Sequence, residues 1–256
     1  MSLSPTLTVK ELLLFSCVRD DLDSVRALLR LGADVNWRDG QDVAGLHLAT
    51  SNNSEEMLDL LLTYVNIDVN VTESNGLTPL MMACLFDQER FVRKLCRVET
   101  ILVDREDGRG QTALHQAVVG ARLDCVRVLL QAGAGLTVRT RDGSCPLTLA
   151  LREGHADVLQ ILLSVPDLDL SVTDGGGRNV GQIAVEEEGG ERQRCVEMLS
   201  RDRRVDWNIK NSDGDTPVMF CLKTNKIEMA RCLINTPGVD LDTVDRDGKY
   251  LETIAR

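Results

Sequence analysis

An all-α array of repeated helical hairpins is predicted for this chain, and three observations predict it. The pattern Gly-x-Thr-Pro-Leu-x-x-Ala recurs, most fully as Gly76-Leu77-Thr78-Pro79-Leu80-Met81-Met82-Ala83, and again from Gly110, Gly143 and Gly214. The small residue closing each copy stands at Ser16, Ala49, Ala83, Ala117, Ala150, Ala184, Cys221 and Ala255, at spacings of 33, 34, 34, 33, 34, 37 and 34 residues. Apolar residues then return nine, twelve and thirteen positions later, as in Leu58, Leu61 and Leu62 or Val126, Leu129 and Leu130. Offsets of three and four place them on one face of a helix.

Each element of the unit has a local cause. The pairs Asn75-Gly76, Asp142-Gly143, Asp213-Gly214 and Asp247-Gly248 supply the positive φ angles of a tight projecting turn. Thr follows as the N-cap of a short helix A, its hydroxyl offered to free backbone N–H groups, with Pro at the first helical position, where no hydrogen bond is lost. The small closing residue lets helix B approach helix A, and the Leu pair of helix B is expected to bury against the next unit. Thr8-Val9-Lys10-Glu11 has the form of a capping box and starts the first helix. The units run over about 8–38, 39–72, 73–106, 107–139, 140–173, 174–210 and 211–244, with a partial one at 245–256.

Seven such copies in phase, together with Gly32-Ala33-Asp34-Val35-Asn36 between helix B and the next turn, resemble the ankyrin-repeat family over practically the whole chain. The resemblance implies an ankyrin-repeat solenoid of helix-turn-helix units with β-turn fingers, in one domain spanning 1–256. It further implies a non-enzymatic scaffold that binds a partner protein or peptide on the concave surface formed by fingers and A helices. The alternative is a regulatory or assembly segment of a larger enzyme or channel.

Departures from the pattern carry their own expectations. The second unit spells Asp42-Val43-Ala44-Gly45-Leu46-His47 and lacks both Thr and Pro. In the sixth, Asn179 stands in as the cap, Gly181 costs about 1 kcal/mol against Ala within helix A, and three extra residues fall near Glu186–Glu191. That unit is expected to be the least regular, with a longer loop between its helices. Val165-Pro166 and Thr236-Pro237-Gly238 stop helix B before the next finger. Asp245-Arg246-Asp247-Gly248 opens a further finger and Leu251 to Ala255 begins a helix A without a helix B. The chain therefore reads as a piece of a longer protein, one that gains thermal stability when extended by a helix.

Composition narrows the function classes. With 29 Lys and Arg against 40 Asp and Glu the formal charge is −11, which disfavours phosphate-backbone binding; aromatics at 3% disfavour base stacking. No nucleic-acid partner is expected. No apolar run approaches a membrane span, so no direct membrane insertion is expected either. The eight cysteines contain no C-x-x-C pair and fall mostly at repeat-equivalent positions as small apolar fillers; reduced thiols point to a cytoplasmic or nuclear location.

Catalytic and metal chemistry find little support. His47 and His115 sit near caps and His155 in a turn, unclustered, so no metal site or cofactor is expected. Cys145 lies within one repeat of His115 but stands where the capping Thr belongs. Asp174-Gly175-Gly176-Gly177-Arg178 lacks the Gly-Lys-Ser/Thr of a phosphate loop and reads as a flexible finger tip. The chain is expected not to be an enzyme.

The resemblance places partner-binding residues beside the fingers and just past the closing small residue. Transferred here, these positions give a local basic bias, Arg109, Arg139, Arg141, Arg152 and Arg178, beside the apolar Leu85 and Phe86. Arginine forks bind carboxylates and phosphate groups at two points, so the expected partner is acidic or phosphorylated. The competing expectation is that these arginines pair with Glu106, Asp107, Asp142, Glu153 and Asp174 nearby.

Overall fold

The computed structural model describes residues 8–186, 189–244 and 246–248. The start of the partial eighth unit's helix, 251–255, and Glu187 and Glu188 of the acidic loop lie outside the described residues. Two compact halves divide the chain, Met1–Gly135 and Leu136–Arg256.

The first half holds four helical hairpins: α1 (Val9–Val18) with α2 (Leu22–Arg30), α3 (Gly45–Ser51) with α4 (Glu55–Leu62), α5 (Pro79–Leu85) with α6 (Glu89–Leu95), and α7 (Ala113–Val119) with α8 (Leu123–Gln131). Each first helix packs on its own partner and on the first helix of the next hairpin, α1 on α3, α3 on α5, α5 on α7. The second half repeats this with α9 (Pro146–Glu153) and α10 (Ala156–Leu163), α11 (Val180–Val185) and α12 (Gly190–Ser200), α13 (Pro217–Lys223) and α14 (Ile227–Ile234). There α9, α11 and α13 form one layer and α10, α12 and α14 the other. Among the described residues no β-strand forms, and the isolated bridges Arg38–Ala44 and Thr173–Asn179 belong to finger turns.

The core follows the repeat phase. Ala49, Ala83, Ala117, Ala150 and Cys221 are all fully buried, where any larger side chain would push the paired helices apart. The Leu pair behaves differently from expectation. Leu58, Leu61, Leu129, Leu159, Leu162 and Leu233 are buried, each stabilising by about 1.5–3 kcal/mol, whereas Leu62, Leu130 and Leu163 are half-buried and Ile234 is exposed. Successive helical residues diverge by about 100°, so only the first of the pair faces the seam.

Helix starts also divide. Thr78 accepts from the Met81 N–H at 3.2 Å as expected, and Asn179 accepts from Gln182 N–H at 2.8 Å. Thr112 instead turns its hydroxyl to His115 Nδ1 at 2.8 Å, and the buried Thr216 hydroxyl meets no partner among the described residues. In the unit without Thr, His47 Nδ1 accepts from the Ala44 N–H at 3.1 Å, as His115 does from that of Thr112, and its Nε2 faces the carbonyl of Leu77 in the next finger.

Adjacent repeats are tied through polar groups as well as apolar ones. Asn36 donates to Asn66 O at 2.7 Å and accepts from Asp68 N–H at 2.8 Å. Asn70 does the same with Thr100 and Leu102, and Asn208 with Gly238 and Asp240. The orphan carbonyls ending a first helix are met from the next hairpin: Gln88 reaches Thr50 O at 2.8 Å, Arg192 reaches Leu151 O at 3.2 Å, and Lys226 reaches Val185 O at 2.8 Å and Glu186 O. The long sixth unit keeps its extra residues between α11, which stops at Val185, and α12. Burial pushes the thiols of Cys17 and Cys221 up to about 12, as for apolar fillers.

Candidate partner-binding surface

Five of the fingers are built around one side-chain oxygen that gathers two backbone N–H groups, while in the 140–144 finger the Thr140 hydroxyl accepts that of Ser144 at 3.1 Å. Asp39 takes those of Gln41 and Val43, Glu73 those of Asn75 and Leu77, Asp107 those of Arg109 and Gln111, Asp174 those of Gly176 and Arg178, and Asn211 those of Asp213 and Asp215, all at 2.8–3.0 Å. The turn then closes through a glycine of positive φ, +85° at Gly76 and +79° at Gly143, except in the Asp39 turn, where Asp42 takes that place at +60°. These anchoring residues recur at the same phase as the small markers, a signal present in the sequence that the Gly-x-Thr-Pro pattern overshadowed. Burial pushes the Glu73 carboxyl up, but the N–H groups of Leu77 and Asn75 more than offset it and hold it below the ordinary range.

In the first half the fingers are joined to one another by main-chain bonds, Ser74 N–H to Gln41 O at 3.0 Å and Gly108 N–H to Asn75 O at 2.9 Å. A groove of about 850 Å³ lies alongside, lined by Leu77, Leu85, Glu73, Asp107, Arg109 and Gln116 among others. Leu85, the last residue of α5, and Phe86, its C-cap, are 37% and 53% exposed. Phe86 lies outside the groove lining. The guanidinium of Arg109 is exposed, and no carboxylate pairs with it among the described residues.

The second half holds the other four arginines, and most of them are engaged. Arg139 donates to the carbonyls of Gly143 at 2.7 Å and Thr173 at 2.5 Å, bridging two fingers. Arg152 pairs with Asp142 at 3.0 Å and Glu153 at 3.6 Å; Arg178 pairs with Asp174 at 2.6 Å and with Glu186. The Thr140 hydroxyl, aided by Arg152, lowers the Asp142 carboxyl to about 2. Arg141 is exposed, and alone of the four it makes neither a hydrogen bond nor an ion pair through its side chain among the described residues. Pairing with local carboxylates therefore holds for Arg152 and Arg178, while among the described residues Glu106 and Asp107 form no ion pair and Asp107 serves its own turn instead.

The glycine-rich finger lies against its neighbour. A Cβ on Gly175 would lie 1.9 Å from the Asp142 carbonyl oxygen, so glycine there allows two fingers to touch. Cys145 is buried as the N-cap residue of α9, with Thr148 beside it at 3.6 Å. Among the described residues no group of three His, Cys, Asp or Glu side chains could hold a metal ion, and no helix is long and apolar enough to cross a membrane.

Comparison with known proteins agrees with this architecture. A family model described as ankyrin repeats (3 copies) matches residues 12–107 and 97–174, together well over half of the chain. The chain is 29% identical to Rabankyrin-5 of Mus musculus over 143 residues, 55% of this chain and 12% of that protein. It is 32% identical to the putative palmitoyltransferase ZDHHC13 of Danio rerio over 148 residues, 56% of this chain and 22% of the other. It is 25% identical to transient receptor potential cation channel subfamily A member 1 of Homo sapiens over 153 residues, 57% and 14% respectively. The chain thus spans less than a quarter of each of these relatives. Ankyrin repeats generally mediate protein–protein interaction. From the phased markers, the stacked hairpins and the matched repeats together, this chain belongs to the ankyrin-repeat family.

Proposed function

We propose that the chain is a non-enzymatic interaction module that binds a partner protein or peptide on its fingers and the adjoining first-helix surface, in the cytoplasm or nucleus. The observation that carries this is a division of labour within the turns. Glu73, Asp107 and Asp174 are consumed in fixing the backbone, while Arg109, in the Asp107 turn, and Arg141, in the turn held by Thr140, have no ion-pair partner among the described residues. A surface already ordered loses little conformational entropy on binding, and a standard interface of about 800 Å² per partner needs only a few fingers. In the first half Leu85 and Phe86 supply apolar anchors. In the second, Arg141 offers a free fork to an acidic or phosphorylated stretch. The test is affinity capture with wild type, L85D/R109E and R141E, all of unchanged melting temperature. Loss of the captured partners in the variants is expected; full retention in both would reject the surface.

A second reading, a regulatory or assembly segment of a larger enzyme or channel, is favoured by relatives named as a palmitoyltransferase and a cation channel, which the chain matches over only 22% and 14% of their lengths. Immunoblotting of the natural protein separates the two: a species several times 28.3 kDa supports the segment.

A further inference from the structure

A separate cavity of about 900 Å³ opens in the second half where α12 and α14 end, and none of its lining belongs to a finger turn. Trp207, Arg201, Arg203, Thr236 and Pro237 line it. Trp207 is 3% exposed, and its indole Nε1 is buried with no acceptor among the described residues. The ring carbons Cε3 and Cζ3 face Gly181, where an added Cβ would lie 3.1 and 3.3 Å away; Nε1 occupies the other edge of the indole. Arg201 and Arg203 are exposed and neither meets a carboxylate among the described residues. The one acid in the lining, Asp202, is already held by Arg204 at 2.7 Å.

The groups left open to a ligand are therefore two cations. Two helix C-termini point the other way, but each carries only about half a negative charge, so two full guanidinium charges leave the cavity cationic within an acidic chain. Pro237 and the indole provide an apolar wall.

We propose that this cavity docks an acidic peptide segment of a partner protein, its carboxylates meeting Arg201 and Arg203 and an apolar side chain lying against Pro237 and the Trp207 ring. The proposal stands apart from the finger surface. The chain contains two tryptophans, Trp37 and Trp207, so W37F leaves Trp207 as the sole indole reporter. That variant is titrated with a capped peptide of alternating Glu and Leu, its Lys-for-Glu counterpart, and inorganic phosphate. A saturable change in Trp207 emission with the acidic peptide is expected, at least tenfold weaker in R201Q/R203Q and weakened by added salt, with no saturation by the lysine peptide. Calorimetry on the wild-type chain with the same peptides keeps the result independent of W37F. No saturable binding of the acidic peptide, equal binding of the lysine peptide or of phosphate alone, or an unchanged R201Q/R203Q would overturn it. Because Leu85, Arg109 and Arg141 are intact in every variant, failure here leaves the finger surface standing.

Discussion

The Nε2 of His47 lies 3.1 Å from the carbonyl oxygen of Leu77, thirty residues away in the following finger, while its Nδ1 accepts the Ala44 N–H. One neutral imidazole thus caps its own helix and holds its neighbour's turn. Burial lowers the His47 pKa below the ordinary 6.5, against the raising effect of the Leu77 bond. A base with a depressed folded pKa stabilises fully above its ordinary value, and that contribution is lost as pH falls from about 6.5 toward the folded pKa. Denaturant unfolding is expected to show lower stability at pH 5.5 than at pH 7.5, and H47Q, which keeps a donor and an acceptor, a shallower pH slope. Identical slopes would reject this role.

Arg139 and Arg141 stand two residues apart yet are expected to respond oppositely to charge reversal. R139E removes two bonds to the Gly143 and Thr173 carbonyls and sets a carboxylate against them, so the melting temperature falls. The loss stays below the roughly 1.5–3 kcal/mol of a buried charged hydrogen bond because Arg139 is exposed. R141E breaks no hydrogen bond or ion pair among the described residues and is expected to leave melting unchanged. Differential scanning fluorimetry of the two variants decides the matter.

Lys226 is nearly buried, and its ammonium lies 2.8 Å from Val185 O and 5.1 Å from the Phe220 ring centroid. K226M strands the two carbonyls that end α11, at an expected cost of about 1.5–3 kcal/mol. Hydrogen exchange should show faster opening at the end of α11 in this variant, and unchanged exchange there would refute the capping role.

Gly175→Ala tests the contact between the fingers of the second half. Glycine-to-alanine changes in loops commonly stabilise by about 0.4–1 kcal/mol through the unfolded chain. Here the Cβ meets the Asp142 oxygen at 1.9 Å, so a lower melting temperature is expected. A rise would show that the fingers separate freely.

Much of the fold was legible because it rests on local chemistry. Gly76 and Gly143 announce their turns, Thr8 and Asn179 their caps, and Ala83 and Ala117 their tight helix contacts. What the sequence concealed lies between repeats. Gly181 reads as a weak helix residue, yet it makes room for Trp207, which follows 26 residues later. Asn36 reads as part of a loop, and it, Asn70 and Asn208 stitch successive loops together. The candidate site was legible only as a set of positions. Whether an exposed arginine is spent or available depends on the rotamers of neighbouring acids, which no spacing rule fixes: Arg152 and Arg178 are spent, Arg109 and Arg141 available.

The main-chain bonds from Ser74 to Gln41 and from Gly108 to Asn75 have a consequence for how specificity can change. They use no side-chain atoms, so the letters at positions 41, 74 and 75 can be rewritten while the pitch of the loops stays the same. Such a surface works like a comb with interchangeable teeth: a new ligand can be accommodated by altering what the loops say, with no need to move where they stand.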